Sequence, residues 1–272
     1  MNKNFFKKSI LISTALSVIV IGSNPTPLIK LGPETVVKNI FLNKTLSASQ
    51  VLYSSYLTNI YETANLYASG LNADVFAKAV TGFYNLKKSA KLSDDKSIIT
   101  IVDFNKSSCT KRMWIVDLQS ATLLLNTWVA HGQGSGGDIA DQFSNIDSSH
   151  QSSLGFYLTG EIYTGKHGRS LRLDGMDANF NSNARKRDIV VHAADYVGEK
   201  TIANTGRLGR SHGCPAVAPE LAAFVIDQIK NKTVLFINGP DSKYNSKYLD
   251  QDFAANYLFP DAKLHDPQEA ML

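Results

Sequence analysis

A cysteine set between glycine and proline is the residue of this chain best suited to do chemistry. The run from Ser211 to Pro215 reads Ser-His-Gly-Cys-Pro, and His192 ends an apolar, strand-like run earlier in the chain. A thiol attacks as a thiolate, so at neutral pH it needs a base or a positive field nearby. We therefore predict Cys214 as a nucleophile and His192 as the base that serves it.

The residues around this cysteine have separate predicted tasks. Gly213 removes side-chain bulk, so the backbone can turn tightly and a substrate can come close. Pro215 pushes Cys214 towards an extended conformation and has no N–H, so an oxyanion hole must use the amides of Gly213 and Cys214 or a side chain. We assign Gly213, His212 and Ser211 to the oxyanion hole or to its support.

Three other interpretations of these residues stay open. A zinc site is the first, but a single residue between His212 and Cys214 is less than the usual ligand spacing of two to four, so we predict no metal. The other zinc ligands would be His192 with His131 or His167. A buried, inert thiol is the second. A disulfide with Cys109 is the third, although Cys109 lies in a polar stretch typical of a hairpin tip.

Nucleotide and nucleic-acid binding find little support. Residues 160–167 match a phosphate-binding P-loop except at the last place, which is His167 instead of serine or threonine. The formal net charge is +4, from 28 basic and 24 acidic residues, and three of the basic residues lie close to the start of the chain. We therefore expect no nucleotide and no nucleic acid among the partners.

The start of the chain is typical of an export signal. Lys3, Lys7 and Lys8 precede an apolar run from Ile10 to Gly22 that is too short to span a bilayer. We assign residues 1–23 to a signal peptide, with an uncleaved anchor as the alternative. The mature chain is then expected to be exported, in the periplasm or cell envelope of a bacterium.

The rest of the sequence predicts a helical segment followed by a β-rich domain. Residues 24–95 form the helical segment, with one helix over 47–69 and a second capped by Asn72, and residues 96–240 form the β-rich domain. Strands are predicted at 98–104, 113–118, 123–130, 156–159, 189–192 and 234–237. A helix is predicted over 220–230, with Pro219 in its first turn. The fold class is therefore mainly β with flanking helices.

Two further expectations concern the helices and the end of the chain. The residues predicted to face inward from the helices include Val51, Leu52, Tyr67, Val75, Phe76, Ala79, Val80, Phe83 and Phe224. Residues 241–272 carry six acidic residues and three lysines. We predict them to be a C-terminal tail that wraps the surface.

Residues 98–239 resemble the L,D-transpeptidase catalytic domain of the YkuD type, whose members cross-link bacterial peptidoglycan. His192 on its strand and the run from Ser211 to Cys214 carry the resemblance. Segments similar to the murein L,D-transpeptidase branch of that family are 129–136, 153–161, 165–168 and 214–217. The resemblance implies a YkuD-like β-sandwich preceded by the N-terminal helical segment, and it implies no cofactor.

The resemblance also implies a reaction on peptidoglycan stem peptides. Cys214 would attack the carbonyl of the third residue of a tetrapeptide stem, with His192 taking the thiol proton and then protonating the leaving D-alanine. An amine of a second stem would resolve the thioester as a 3→3 cross-link, or a lysine of an envelope protein would accept the acyl group. In this family a backbone carbonyl commonly orients the histidine.

Two alternatives to transpeptidation stay open. Water in place of the amine would make the protein an L,D-carboxypeptidase or an amidase. A cell-wall-binding protein with an inert thiol is the alternative from another class.

The sequence departs from the family pattern after the cysteine. Better-known members have an aliphatic residue and then arginine or asparagine there, whereas this chain has proline and alanine. Arg210 is the candidate to replace that arginine in substrate binding. Tyr163 and Tyr157 are the candidates for a family tyrosine that assists the oxyanion hole. His131 precedes a glycine-rich loop, where it either contacts substrate or holds the loop.

The charge around these residues suits an anionic substrate. Between Lys166 and Arg210 there are nine basic and five acidic residues. A locally basic half favours an acyl donor that carries stem-peptide carboxylates, and a solvated face without a partner is the alternative.

Overall fold

The computed structural model describes residues 46–92 and 95–262. The predicted signal peptide at residues 1–23 lies outside the described residues, as do the first part of the helical segment and the end of the tail. The described residues belong to one compact unit of the chain. None of the described helices is long and apolar enough to cross a bilayer.

Five helices and eight strands make up the described fold. The helices are α1 (Ala48–Thr63), α2 (Ala73–Lys88), α3 (Glu199–Thr205), α4 (Pro219–Ile229) and α5 (Gln251–Leu258). The strands are β1 (Ile98–Asp103), β2 (Met113–Asp117), β3 (Thr122–Thr127), β4 (Gly155–Gly165), β5 (Gly168–Gly175), β6 (Val190–Ala193), β7 (Ala216–Val217) and β8 (Val234–Asn238). Short 3-10 turns lie at Gln133–Ser135 and Lys247–Leu249.

The strands form one mixed sheet in the order β3-β2-β1-β8-β4-β5-β6-β7. Only the β1–β8 and β6–β7 pairs run parallel; the other neighbours are antiparallel. The prediction of a mainly β fold with flanking helices, preceded by N-terminal helices, is confirmed.

Successive side chains of a strand point to opposite faces of the sheet, so the core is divided between the two faces. Phe156 and Phe236 stack at 4.4 Å between ring centroids and pack in the same cluster as α1, α2 and α5, while Tyr157 packs in a second cluster with α4. Gly82 of α2 lies against the Phe156 ring, where a Cβ would overlap the ring atoms. This close approach requires glycine in the middle of a helix.

The two N-terminal helices form, but α1 is shorter than predicted. Asn72 caps α2 by accepting from the backbone N–H groups of Asp74 and Val75, and all the predicted inward residues of α2 are buried. The first helix ends at Thr63, and Asn65 follows with φ +50°, so the chain turns instead of continuing to Gly70. Val51, Leu52 and Tyr67 are exposed, so their predicted inward orientation is wrong. The buried side of α1 carries Tyr53 and Ile60, seven residues apart.

Helix α4 covers the other face of the sheet. It begins at Pro219 as predicted and buries Val225, Ile226 and Ile229. Phe224 is exposed, so its predicted inward orientation is wrong: it precedes Val225 by one position and points about 100° away around the helix.

Four of the named strands and helices were not predicted, and the tail differs from its prediction. Strand β5 alternates buried Leu171 and Leu173 with charged residues, and β7 has only two residues. The third is the short α3, and the fourth is α5 in the tail. In the tail, Tyr248, Ala254 and Ala255 are buried against the N-terminal helices. The expectation that this segment only wraps the surface is therefore wrong.

Candidate active site

The β6–β7 pair brings the predicted nucleophile and the predicted base into one cleft. His192 lies opposite Ala216 in the parallel register, and Cys214 precedes Ala216 by two residues. Val190, two residues before His192, donates its backbone N–H to Cys214 Sγ at 3.4 Å. The thiol therefore lies beside the strand that carries the histidine.

The cleft has a volume of about 560 Å³. The predicted site residues that line it are Tyr163, His192, Arg210, Ser211, His212 and Cys214. Gly213 is buried, and neither it nor His131 lines the cleft. The cysteine is partly exposed and is one of the lining residues.

Hydrogen bonds fix the backbone around the cysteine. Ser211 Oγ donates to the Cys214 carbonyl at 2.7 Å and accepts from the Gly213 N–H at 3.0 Å. Ser152 Oγ donates to the Gly213 carbonyl at 3.1 Å. Gly213 has φ +122°, and a Cβ there would lie 2.7 Å from the Gln151 carbonyl oxygen. The turn therefore needs glycine at this position.

These hydrogen bonds decide which of the two predicted oxyanion-hole amides is available to a substrate. Because the Gly213 N–H is already bonded to Ser211 Oγ, it is not free for a substrate oxygen. The Cys214 N–H has no hydrogen-bond partner among the described residues. Of the two predicted amides, the one at Cys214 is the available donor, while Ser211 acts by holding the turn.

A backbone carbonyl fixes the tautomer of His192. Its Nδ1 lies 2.8 Å from the Ala193 carbonyl oxygen, so Nδ1 carries the proton and donates it. Nε2 is then the unprotonated nitrogen that can accept a proton. The His167 ring stacks on His192 with centroids 4.3 Å apart and planes 26° from parallel.

Electrostatics favour a neutral thiol beside a neutral imidazole. Burial lowers the pKa of His192, and the nearby His167 and Lys166 lower it further. Burial raises the pKa of the Cys214 thiol, while the Val190 N–H and Arg187 act in the opposite direction. At neutral pH the proton therefore resides on sulfur, and the histidine must take it during the attack.

Arg187 is a component of the site that sequence reasoning missed. Its guanidinium donates to the carbonyl oxygens of Ser144 and Gln151, each at 2.6 Å, and so ties the 144–151 loop to the cleft. Its positive charge also favours the thiolate form of Cys214. The basic run directly before β6 was the available signal, but sequence alone does not show which of its cations faces the thiol.

His167 and Tyr196 are further lining residues that were not assigned to the cleft. In the sequence, His167 drew attention as the last place of the P-loop match, as part of the family-like segment 165–168 and as a possible zinc ligand. Tyr196 is half-buried, and burial, with the nearby Cys214, raises its pKa to about 12. Tyr157, the other tyrosine candidate, is buried and bonded to Ser153, so it is outside the cleft.

The other predicted cleft residues, Arg210, Tyr163 and His212, each contact a neighbouring group of the protein. Arg210 donates to the Gly136 carbonyl at 2.7 Å. The Arg172 guanidinium lies 4.5 Å from the centre of the Tyr163 ring. His212 is exposed and stacks on His150 with centroids 4.2 Å apart.

His131 holds the structure of the loop instead of facing substrate. It is fully buried, and its Nδ1 lies 2.7 Å from the Arg112 guanidinium. Burial and that guanidinium lower its pKa to about 4, so it is neutral. Its carbonyl oxygen accepts the Ser211 N–H at 2.9 Å, which links the buried pair to the cysteine loop.

The structure also bears on the alternative interpretations. Cys109 and Cys214 are both free thiols. Residues 160–165 lie in β4 and the rest of the P-loop match lies in the turn to β5, so no loop leads from a strand into a helix there. Within 46–92 and 95–262, no group of three or more histidine, cysteine, aspartate or glutamate residues could hold a metal ion.

Comparison with known proteins identifies a family. The family model described as L,D-transpeptidase catalytic domain matches residues 67–238, which is more than half of the chain. No curated protein matches the chain.

Solved structures also match. An L,D-transpeptidase from Mycobacterium smegmatis is 12% identical, covering 53% of this chain and 59% of that chain with a TM-score of 0.33. The helical cell shape determining protein Pgp2 from Campylobacter jejuni is 12% identical, covering 64% and 60% with a TM-score of 0.39. An L,D-transpeptidase from Xylanimonas cellulosilytica is 12% identical, covering 61% and 84% with a TM-score of 0.33. The match to the first spans about three fifths of that protein's length.

Proposed function

The chain belongs to the L,D-transpeptidase catalytic-domain family, and we propose that it acts on peptidoglycan tetrapeptide stems through a thioester on Cys214. One observation carries the proposal. The Cys214 sulfur accepts the Val190 N–H while His192, two residues along the same strand, lines the same cleft with Nε2 available. Acyl transfer through a thiol requires a base beside the nucleophile, and the strand that contacts the Cys214 sulfur also carries His192.

In the first half of the reaction His192 removes the thiol proton. Nε2 takes the proton as Cys214 Sγ forms a bond to the carbonyl carbon of the third stem residue, and the carbonyl electrons move to oxygen. The C–N bond to the terminal D-alanine then breaks, and His192 returns the proton to the leaving amine. The products are a thioester on Cys214 and free D-alanine.

The developing oxyanion needs a donor that no protein group already uses. The Cys214 N–H meets this condition among the described residues, since the Gly213 N–H is bonded to Ser211. A backbone amide fixed before the reaction stabilises charge without reorganising. The bonds made by Ser211 and Ser152 keep that amide in position.

In the second half an amine replaces the sulfur. The amine attacks the thioester carbonyl and gives its proton to His192, and the thiolate that leaves takes the proton back. A second stem as acceptor gives a 3→3 cross-link, and a lysine of an envelope protein gives protein attachment. Both substrates lie in the bacterial cell envelope, so we expect the exported chain to work there.

The test is to incubate the purified protein with disaccharide-tetrapeptide and read products and intact protein mass by mass spectrometry. We expect an acyl adduct on the protein and dimeric muropeptide, both lost in Cys214→Ala. Cys109→Ala is the matched control and should keep both. An adduct with only tripeptide product would make the protein a hydrolase, and no adduct on folded protein with a free thiol would refute the proposal.

A further inference from the structure

Four cationic side chains line the cleft, and they differ in whether another group of the protein already pairs with or accepts hydrogen bonds from them. They are Lys166, Arg172, Arg187 and Arg210. We propose that Lys166 binds the terminal carboxylate of the acyl donor. This inference rests on the proposed function and names the residue that would set its donor specificity.

Two of the arginines are committed to backbone carbonyls. Arg187 donates to Ser144 and Gln151, and Arg210 donates to Gly136 at 2.7 Å and to Gln133 at 3.4 Å. These bonds hold the loops that frame the cleft. A substrate carboxylate would have to compete with them for the same N–H groups.

Arg172 is neutralised by acidic neighbours. Its guanidinium lies 3.0 Å from the Asp188 carboxylate and 3.2 Å from the Glu161 carboxylate, and it covers the Tyr163 ring. The same pairing satisfies Asp188, which also lines the cleft. The one carboxylate of the cleft lining is therefore compensated and does not repel an anion strongly.

Lys166 is the cation that has no such partner within the described residues. It lies exposed in the turn between β4 and β5, beside His167, whose ring stacks on His192. Its charge lowers the pKa of both Cys214 and His192, so the ammonium lies within electrostatic reach of both reacting groups. A compact ammonium on a flexible stem suits an anionic ligand that arrives and leaves.

The donor needs a positive charge close to the attacked carbonyl, because its terminal carboxylate lies there. In a tetrapeptide stem only three bonds separate the attacked carbonyl carbon from the terminal carboxylate carbon, so the two lie within about 4 Å of each other. A carboxylate so close to the thiol would be repelled by a developing thiolate and oxyanion unless a positive charge lay beside it. Lys166 supplies that charge where no arginine is free to do so.

The experiment compares two donors that differ only at this group. One is the tetrapeptide stem with a free terminal carboxylate and the other is its terminal carboxamide, and kcat/KM for acylation of Cys214 is measured for each. The unmodified protein should prefer the carboxylate by about 3- to 10-fold, between the effect of an exposed ion pair and that of a hydrogen bond to a charged group.

Variants decide whether Lys166 is the cause. Lys166→Gln should remove the preference, Lys166→Arg should keep most of it, and Lys200→Gln, which removes an exposed lysine outside the cleft, should leave it unchanged. A preference that survives Lys166→Gln, or an equal loss for both donors, would overturn the inference.

A binding measurement separates this inference from the proposed function. In Cys214→Ala protein, which cannot be acylated, calorimetry should give a lower Kd for the carboxylate peptide than for the carboxamide, and adding Lys166→Gln should equalise them. Absence of turnover together with this binding difference would refute the transpeptidase proposal and support the carboxylate site. Equal affinities in Cys214→Ala protein would overturn the carboxylate site.

Discussion

The two cysteines of the chain are both partly exposed free thiols, and they differ in the groups that contact the sulfur. Cys109 Sγ lies against acceptors: the Gly206 carbonyl oxygen at 3.1 Å and an Asp138 carboxylate oxygen at 3.7 Å. Cys214 Sγ also has an acceptor beside it, the Asp188 carbonyl oxygen at 3.5 Å, but in addition it accepts the Val190 N–H and lies near the positive charge of Arg187. A thiolate at Cys109 would face a carboxylate, whereas a thiolate at Cys214 would have the Val190 N–H and the Arg187 charge to offset the nearby Asp188.

From this comparison we expect that exposure alone does not decide which of the two cysteines reacts. The donors and the base around Cys214 come from a strand, a loop and a hairpin that are separate in sequence. Their common effect is to favour loss of the proton during attack. Changes to them should alter Cys214 chemistry and leave Cys109 as it is.

The largest effect is expected from His192→Gln. Glutamine keeps polarity but cannot take the thiol proton, so the rate of Cys214 acylation should fall about 10²- to 10⁴-fold. The measurement is kcat/KM with the tetrapeptide donor, with Cys109→Ala as a control that keeps the full rate. A rate within a few-fold of the unmodified protein would show that another group serves as the base.

A smaller loss is expected when the turn before the nucleophile is strained. Gly213→Ala forces a side chain into a left-handed conformation and against the Gln151 carbonyl, so we expect a cost of about 1–3 kcal/mol in stability. The shifted turn should also slow acylation. Denaturant unfolding and acylation kinetics measure the two effects.

Gly137→Ala is the matched control for this substitution. A Cβ on Gly137 meets no atom within 4 Å, so its effect on stability should stay within about 0.5 kcal/mol. Equal costs for the two glycines would mean that the turn at Gly213 has no special conformational requirement.

The smallest expected effect is a shift of the pH profile. The base must be neutral, so kcat/KM should fall as pH drops through the pKa of His192, which burial and its cationic neighbours hold below the ordinary histidine value. Because His167 is one of those neighbours, His167→Gln should raise the pKa of His192 and move the acid limb to higher pH. His150→Gln, which removes a ring stacked on His212, should leave the limb in place. An unmoved limb in His167→Gln would show that the stack does not influence the base.

The fold was predictable wherever one short pattern decided the element. Asn72 predicted a helix cap and Pro219 predicted the first turn of a helix, and a helix begins at each of these positions. Strand β5 was missed because it has no β-branched or aromatic residue and only two leucines, and the glycines at both of its ends are more typical of turns. The end of α1 was misplaced because the apolar residues beyond Thr63 belong to a turn that sequence periodicity does not distinguish from a helix.

The same distinction applies to the site. Cys214 and His192 were predicted because each lies in a local pattern with an evident chemical use. Arg187 and His167 were not, since their roles depend on which loop the fold brings beside the cysteine. His131 precedes a glycine-rich segment that made it a candidate for substrate binding. Its side chain is instead buried against Arg112, a contact that spacing along the chain does not reveal.

The shortness of β7 has a consequence for when the protein becomes reactive. Strand β7 pairs with β6 through only two residues, Ala216 and Val217, and this pairing holds the Cys214 loop beside the strand that carries His192. In a chain that has not yet folded, Cys214 has neither a base nor a fixed donor and reacts like any other cysteine. Folding therefore brings the proposed base and the hydrogen-bond donor to Cys214, and a chain that has not folded has neither. An unfolded sample should be alkylated equally at Cys109 and Cys214, and a difference between the two alkylation rates should appear only in the folded protein.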